Sequence, residues 1–246
     1  MLRFILAAIF VVLFLIISIP IMLIELIIGL FSKKARDKSS LAIVSWAFHV
    51  VEIISGVKAE IRGKENVPVN EACLYVANHR SFFDIVMLYR RMKGITGFVA
   101  KRELEKIPLL GWWMKLLHCK FLDRKNVKQG LSVILSCIED VRNGISIFIF
   151  PEGTRGRSES ELEVMPFKEG SMKVAVKGGV RIVPIAVAHS SAILEDHFPK
   201  IKSTKVIIEY GIPIDPKDYS KDEQKKIGEI AREKILEMLT KNEKEL

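Results

Sequence analysis

The sequence predicts an α/β fold: a three-layer domain on a mixed, partly parallel central sheet, preceded by an N-terminal hydrophobic helical membrane anchor. Three observations predict it. A long uncharged run opens the chain, a basic cluster comes next, and from residue 58 onward short β-rich runs alternate with helix-period stripes. The organisation is therefore 1–57 for the anchor and 58–246 for the α/β domain, a length that buries a real core.

Phe4 to Ile24 is 21 uncharged residues. As a helix the run measures about 30 Å, the thickness of a hydrocarbon core. Only Arg3 precedes it and no small-residue cleavage site comes after it, which disfavours a cleaved leader. Pro20 kinks such a helix, and Glu25 favours an interface. Residues 33–38 (KKARDK) make a basic junction; with Ser32 they sum to +3 of the chain's +9. Lys and Arg beside an apolar stretch attract anionic lipid and place the α/β domain beyond them on the cytoplasmic face of the cell (inner) membrane. Leu41 to Ile54 reads as a second apolar helix, too short to span. A full span and a two-helix hairpin seated in one leaflet both remain open.

Strands are expected at Cys73–Ala77, Ile95–Ala100, Lys120–Leu122, Ile145–Phe150, Val180–Ala188 and Lys205–Tyr210. Between them, Val127, Leu131, Ile134, Leu135, Ile138 and Val141 keep a helical stripe that stops at Gly144, and Met172, Ala175 and Val176 do so before Gly178. Ser220 and Glu223 have capping-box spacing and open an amphipathic closing helix through Ile227, Ile230, Ala231, Ile235 and Leu239.

The mean hydropathy of +0.23 comes from one place, since 26 of the first 31 residues are apolar. Three cysteines cannot make a disulfide framework, and they share no ligand spacing with the five histidines, so no metal site is expected. No basic helix or aromatic-basic strand points to nucleic acid. The patterns GxGxxG, GxxxxGK[ST], GxSxG and HExxH are all missing.

What remains are polar clusters at the ends of predicted strands, where α/β domains place sites. The first is NHRSFFD at 78–84. With Ser81 as N-cap, Asp84 falls in the first helical turn and reaches back to His79, fixing its tautomer and leaving the other nitrogen as a general base. The plainer alternative is an aspartate that only caps a helix. The second cluster is FPEGTRGR at 150–157, where glycines allow close approach and Arg155 and Arg157 offer forks for an anion. The alternative there is an exposed turn with solvated arginines. Lys101 and Arg124 end two further strands and add positive charge, or serve only as surface charges.

Taken together, NHRSFFD, AKRELEKIPLLGWW with FLDR, FPEGTRGR and VPIAV at 183–187 resemble the four ordered blocks of the glycerolipid acyltransferases. Within that family the FPEGTR wording and short chain are most similar to the branch that acylates lysophosphatidic acid. The resemblance covers about residues 60 to 215. It implies an acyltransferase domain in which His79 and Asp84 are catalytic. By the same resemblance, Glu152, Gly153 and Arg155 bind the acceptor, and Lys101 and Arg124 help to hold its glycerol phosphate. His118 stands where the family usually has glycine, which bears on the shape of the acceptor pocket.

The chemistry expected is acyl transfer from a thioester, carried on coenzyme A or acyl carrier protein, to the sn-2 hydroxyl of lysophosphatidic acid. No covalent enzyme intermediate and no cofactor are expected. The expected partners are the membrane lipid bilayer, the lysolipid and the thioester carrier. Glycerol-3-phosphate or another lysophospholipid is an alternative acceptor. Outside the class, a membrane-tethered anionic-lipid-binding protein would not need the His-Asp pair, and a lipid hydrolase would pass the acyl group to water.

Overall fold

A computed structural model describes residues 1–246. Two helices, α1 (Leu2–Phe31) and α2 (Lys33–Ser55), are joined at Ser32, whose hydroxyl accepts from the Ala35 amide at 3.2 Å and starts α2. The basic cluster at 33–38 is thus the first turns of α2 rather than a separate junction. The helices run antiparallel, with the Arg3 guanidinium near the Ser55 carbonyl and Glu25 beside Ser39 and Ser40. Glu25 is 1% exposed, and the two serine hydroxyls donate to its carboxylate at 2.6 and 2.8 Å. The acidic group that ends the apolar run therefore finds hydrogen-bond donors inside the hairpin. The opposite face of α1, including Ile5, Ile9, Val12, Ile16 and Leu23, is exposed.

Seven strands complete the sheet: β1 (Lys58–Arg62), β2 (Cys73–Ala77), β3 (Thr96–Lys101), β4 (Lys120–Leu122), β5 (Ser146–Ile149), β6 (Arg181–Ala188) and β7 (Lys205–Tyr210). They form one mixed sheet in the order β1-β7-β6-β2-β5-β3-β4, parallel at every pairing except β6 with β7. The central strands β2, β5 and β6 read as continuous apolar runs because both of their faces are covered. Alternation splits them cleanly: Cys73, Tyr75 and Ala77 face one layer, Leu74 and Val76 the other.

The first layer holds the hairpin with α3 (Phe82–Tyr89) and α4 (Leu110–Leu116). The second holds α5 (Val127–Arg142), α6 (Glu169–Gly178) and α7 (Ile227–Glu243). The expected Ser220–Glu223 box forms, but it closes the turn that leads into a short 3-10 segment (Glu223–Lys226), and α7 starts only at Ile227.

Side chains dock the hairpin on the domain at several points. Trp113 is buried, donates from its indole to the Ser18 hydroxyl at 2.8 Å and stacks on Phe14 at 5.9 Å. Glu52 accepts from Arg90 and Arg91 just beyond α3. His118, held at φ +57, bonds Asp37 of α2 through Nε2 at 2.9 Å. Its ring is thereby committed to the hairpin.

Because β2, β3, β4, β5 and β6 are parallel, their carboxyl ends share one edge. NHRSFFD leaves from β2, FPEGTRGR from β5 and residues 189–204 from β6, so segments far apart in sequence meet there.

Candidate active site

The chain leaves β2 through Asn78, a buried amide that donates to the Val187 carbonyl at 2.8 Å and accepts from the Val187 amide at 2.9 Å. This clip to β6 fixes where His79 starts. Ser81 caps α3 by accepting from the Phe83 amide at 3.0 Å, which brings Asp84 into the first turn. Oδ2 of Asp84 meets Nδ1 of His79 at 2.9 Å and accepts from the Arg80 and Ser81 amides, both at 2.8 Å. Asp84 is fully buried, and its Oδ1 has no hydrogen-bond partner.

The His79 ring stacks on Phe150 at 4.0 Å and 17°. Aspartate below and phenylalanine beside it restrict the imidazole to one orientation. A proton on Nδ1 then serves Asp84, and Nε2, bonded to nothing in the protein, is the lone pair available to a substrate. The aspartate is therefore both helix cap and histidine partner, so the two readings of NHRSFFD are compatible.

The turn after β5 closes around the same histidine. Glu152 is buried and accepts from the His79 amide at 2.8 Å and the Met165 amide at 3.0 Å. Desolvation raises its pKa above the usual carboxylate value, against the opposing effect of those two amides. The Gly156 amide donates to the His79 carbonyl at 2.8 Å. Gly153 has φ +78, and a Cβ there would lie 2.5 Å from the Lys168 Nζ. The expected block thus divides its work: Glu152 and Gly156 bind the backbone of His79, whereas Gly153 permits the turn.

Arg155 lies over the Phe82 ring at 3.8 Å and donates from Nη1 to Glu195 at 2.8 Å. It lines a cavity of about 380 Å³ together with Arg80, Phe82, Arg157, Glu195 and Phe198. His79 does not line this cavity, whereas Arg80 and Phe82, one and three residues further along the chain, do. Arg80 is held by Ser158 and the Ser160 carbonyl, which ties the turn to the residues after it.

Lys101 and Arg124 lie at the ends of β3 and β4 on the same edge. Lys101 pairs with Glu103 at 3.1 Å, Arg124 is exposed, and neither contacts His79 or Asp84. The structure therefore unites His79, Asp84, Glu152, Gly153 and Arg155 and leaves these two cations at the periphery. Lys168 and Glu195 lie outside the quoted blocks and emerge only from the fold, whereas Asn78 and Phe82 stand inside NHRSFFD and gain their roles only from the fold. No cluster of His, Cys, Asp or Glu suited to a metal ion occurs.

The family model described as Acyltransferase matches residues 58–188. The 1-acyl-sn-glycerol-3-phosphate acyltransferase of Saccharomyces cerevisiae is 32% identical over 200 residues, covering 81% of this chain and 64% of that protein. The chain thus spans slightly under two thirds of this longer relative. A probable 1-acyl-sn-glycerol-3-phosphate acyltransferase of Mycoplasma pneumoniae is 32% identical over 192 residues, 73% of this chain and 71% of its own. The crystal structure of the 1-acyl-sn-glycerophosphate (LPA) acyltransferase PlsC from Thermotoga maritima is similar over 97% of this chain and 98% of that one, with TM-score 0.72 and 26% identity.

Proposed function

Because this chain belongs to the acyltransferase family, we propose that it transfers a fatty acyl group from a thioester to the sn-2 hydroxyl of lysophosphatidic acid. The product is phosphatidic acid, made for phospholipid synthesis. The observation that carries the reading is the His79–Asp84 pair, its Nε2 unpartnered, bonded through its own backbone to the turn that bears Arg155.

Nε2 of His79 takes the hydroxyl proton as the oxygen attacks the thioester carbonyl. Asp84 stabilises the imidazolium that forms. The tetrahedral intermediate expels the thiolate, and the imidazolium returns its proton to that sulfur, which regenerates the enzyme without an acyl-enzyme. General-base help of this kind contributes about 10² to 10⁴ in rate, and positioning of the acceptor supplies more. Arg155 at the cavity wall suits the acceptor phosphate. The thioester is carried by coenzyme A or acyl carrier protein.

The hairpin supports a membrane-associated enzyme. α1 is long and apolar enough to cross a bilayer by length and composition, and α2, which begins at Lys33 and not at Leu41, is longer than the expected short second helix and passes the same test; the outer face of α1 has no protein partner. Both ends of α2 are docked on the domain, through Asp37 to His118 and through Glu52 to Arg90 and Arg91, which suits a hairpin seated in one leaflet with its basic first turns at anionic headgroups and the catalytic domain on that same, cytoplasmic side.

Purified protein in mixed micelles, supplied with labelled acyl-coenzyme A or acyl carrier protein thioester, tests the proposal. Lysophosphatidic acid should be converted to phosphatidic acid in preference to glycerol-3-phosphate or lysophosphatidylcholine, and His79→Ala should lose about 10³ or more in turnover. Free fatty acid released without an acceptor would instead identify a hydrolase.

A further inference from the structure

The loop after β6 reaches the site through one carboxylate that no motif predicts. Oε2 of Glu195 accepts from the Ser81 hydroxyl at 2.6 Å. Its Oε1 accepts from the Phe82 amide at 2.9 Å and from Nη1 of Arg155 at 2.8 Å. The first two donors are the N-cap and first residue of α3, the helix that presents Asp84 to His79. The third is the guanidinium assigned to the acceptor phosphate. Glu195 is therefore the one side chain bonded to both the start of the catalytic helix and Arg155.

We infer that Glu195 is a positioning residue that aims Arg155, setting the acceptor's phosphate at a fixed distance from the His79 base. This inference rests on the phosphate reading of Arg155. A guanidinium has five N–H donors, and Glu195 engages it through Nη1 alone. The remaining N–H groups are free for phosphate oxygens, so the carboxylate holds the group without consuming it. Phe82 beneath the guanidinium plane removes the remaining rotational freedom. Without Glu195, a long side chain with several free rotors would have to be ordered by the substrate itself. Charge alone leads to the opposite expectation, because a carboxylate beside the phosphate repels it. The sign of the effect on acceptor binding therefore separates aiming from competition.

The test is Glu195→Gln in the full-length protein, with KM measured separately for lysophosphatidic acid and for the acyl thioester. The amide keeps the shape and an acceptor for Phe82 but loses the charge that holds Arg155. The acceptor KM should rise about five- to tenfold, as an ion pair becomes a hydrogen bond charged on the donor side alone. The thioester KM should change little, and the loss with phosphate-free monoacylglycerol should be clearly smaller than the loss with lysophosphatidic acid. In an Arg155→Ala background the same change should add nothing to the acceptor KM, and Glu195→Asp, which keeps the charge one carbon short, should recover part of the loss. A fall in acceptor KM would mean that Glu195 competes with the phosphate, and an unchanged one that it does not aim Arg155. An equal loss with every acceptor would mark a structural prop. Any of the three overturns the inference. A wild-type enzyme that acylates only acceptors other than lysophosphatidic acid would overturn the proposed function, and this inference with it.

Discussion

Replacing Asp84 with asparagine separates its two duties. The side chain can keep an oxygen at the Oδ2 position, where it still accepts from the Arg80 and Ser81 amides and from Nδ1 of His79. Its NH₂ group then occupies the Oδ1 position, which is buried and has no partner. Two unmatched donors there cost about 1 to 3 kcal/mol. In a chain of this size each kcal/mol lowers Tm by roughly 2 to 4 °C, so the variant should still be folded at assay temperature. The kinetic effect is larger. An imidazolium and a carboxylate with charge centres about 4 Å apart interact by about 4 kcal/mol at an effective dielectric of about 20. That attraction exists only after His79 takes the proton, so its loss falls on the transition state and lowers kcat about 10³-fold. Thiol release from acyl-coenzyme A that depends on lysophosphatidic acid gives the rate, and a thermal melt in the same detergent gives the stability. Asp84→Asn with kcat within tenfold of wild type, beside an inactive His79→Ala, would refute the reasoning and leave Asp84 as a helix cap alone.

Arg155→Lys should raise the KM for lysophosphatidic acid, and Arg155→Ala should raise it further, by roughly 10- to 150-fold, because an ammonium does not replace a two-pronged fork. An effect confined to the thioester KM would reassign the turn to the donor. Glu152 has its pKa raised by folding, so between the unfolded and folded values the native state binds more protons and stability falls as pH rises. Denaturant unfolding across the mildly acidic range should show a shallower decline for Glu152→Gln, at lower stability throughout, since the amide presents a donor to one of two backbone N–H groups. Deleting residues 1–38 should move protein from liposomes to the soluble fraction in flotation, while removing Phe14 and Ser18 from Trp113 and Asp37 from His118. Unchanged flotation would count against the anchor.

Much of the fold was legible because the central strands are buried on both faces. Cys73–Ala77 appears at the expected bounds, and so do Lys205–Tyr210 and the short, half-buried edge strand Lys120–Leu122. The strand β1, with the sequence KAEIR, was not expected: as a half-exposed edge strand it alternates charge with apolar residues and lacks a continuous run. The charged start of α2 hid its helical character, although Ser32 offered the cap signal. His79, Asp84 and the Arg155 turn could be read because each comes directly after a strand. Glu195 could not, since its meeting with Ser81 and Phe82 spans more than a hundred residues and depends on how the loop after β6 folds back. The direction of the His118 side chain likewise depends on its left-handed backbone and the nearby Asp37, neither of which a glycine-versus-histidine comparison reveals.

Only Gly56 and Val57 separate the end of α2 from β1, and Trp113, His118, Arg90 and Arg91 bolt the hairpin to the domain. This is a rigid mount rather than a leash. On a bilayer, a domain so mounted has no freedom to swivel its site through the surrounding water. It would meet acceptor by sliding in two dimensions, and its velocity should track the mole fraction of lysolipid in the surface rather than its bulk concentration. Diluting a fixed amount of lysophosphatidic acid with inert phospholipid should then slow the reaction even though nothing dissolved has changed.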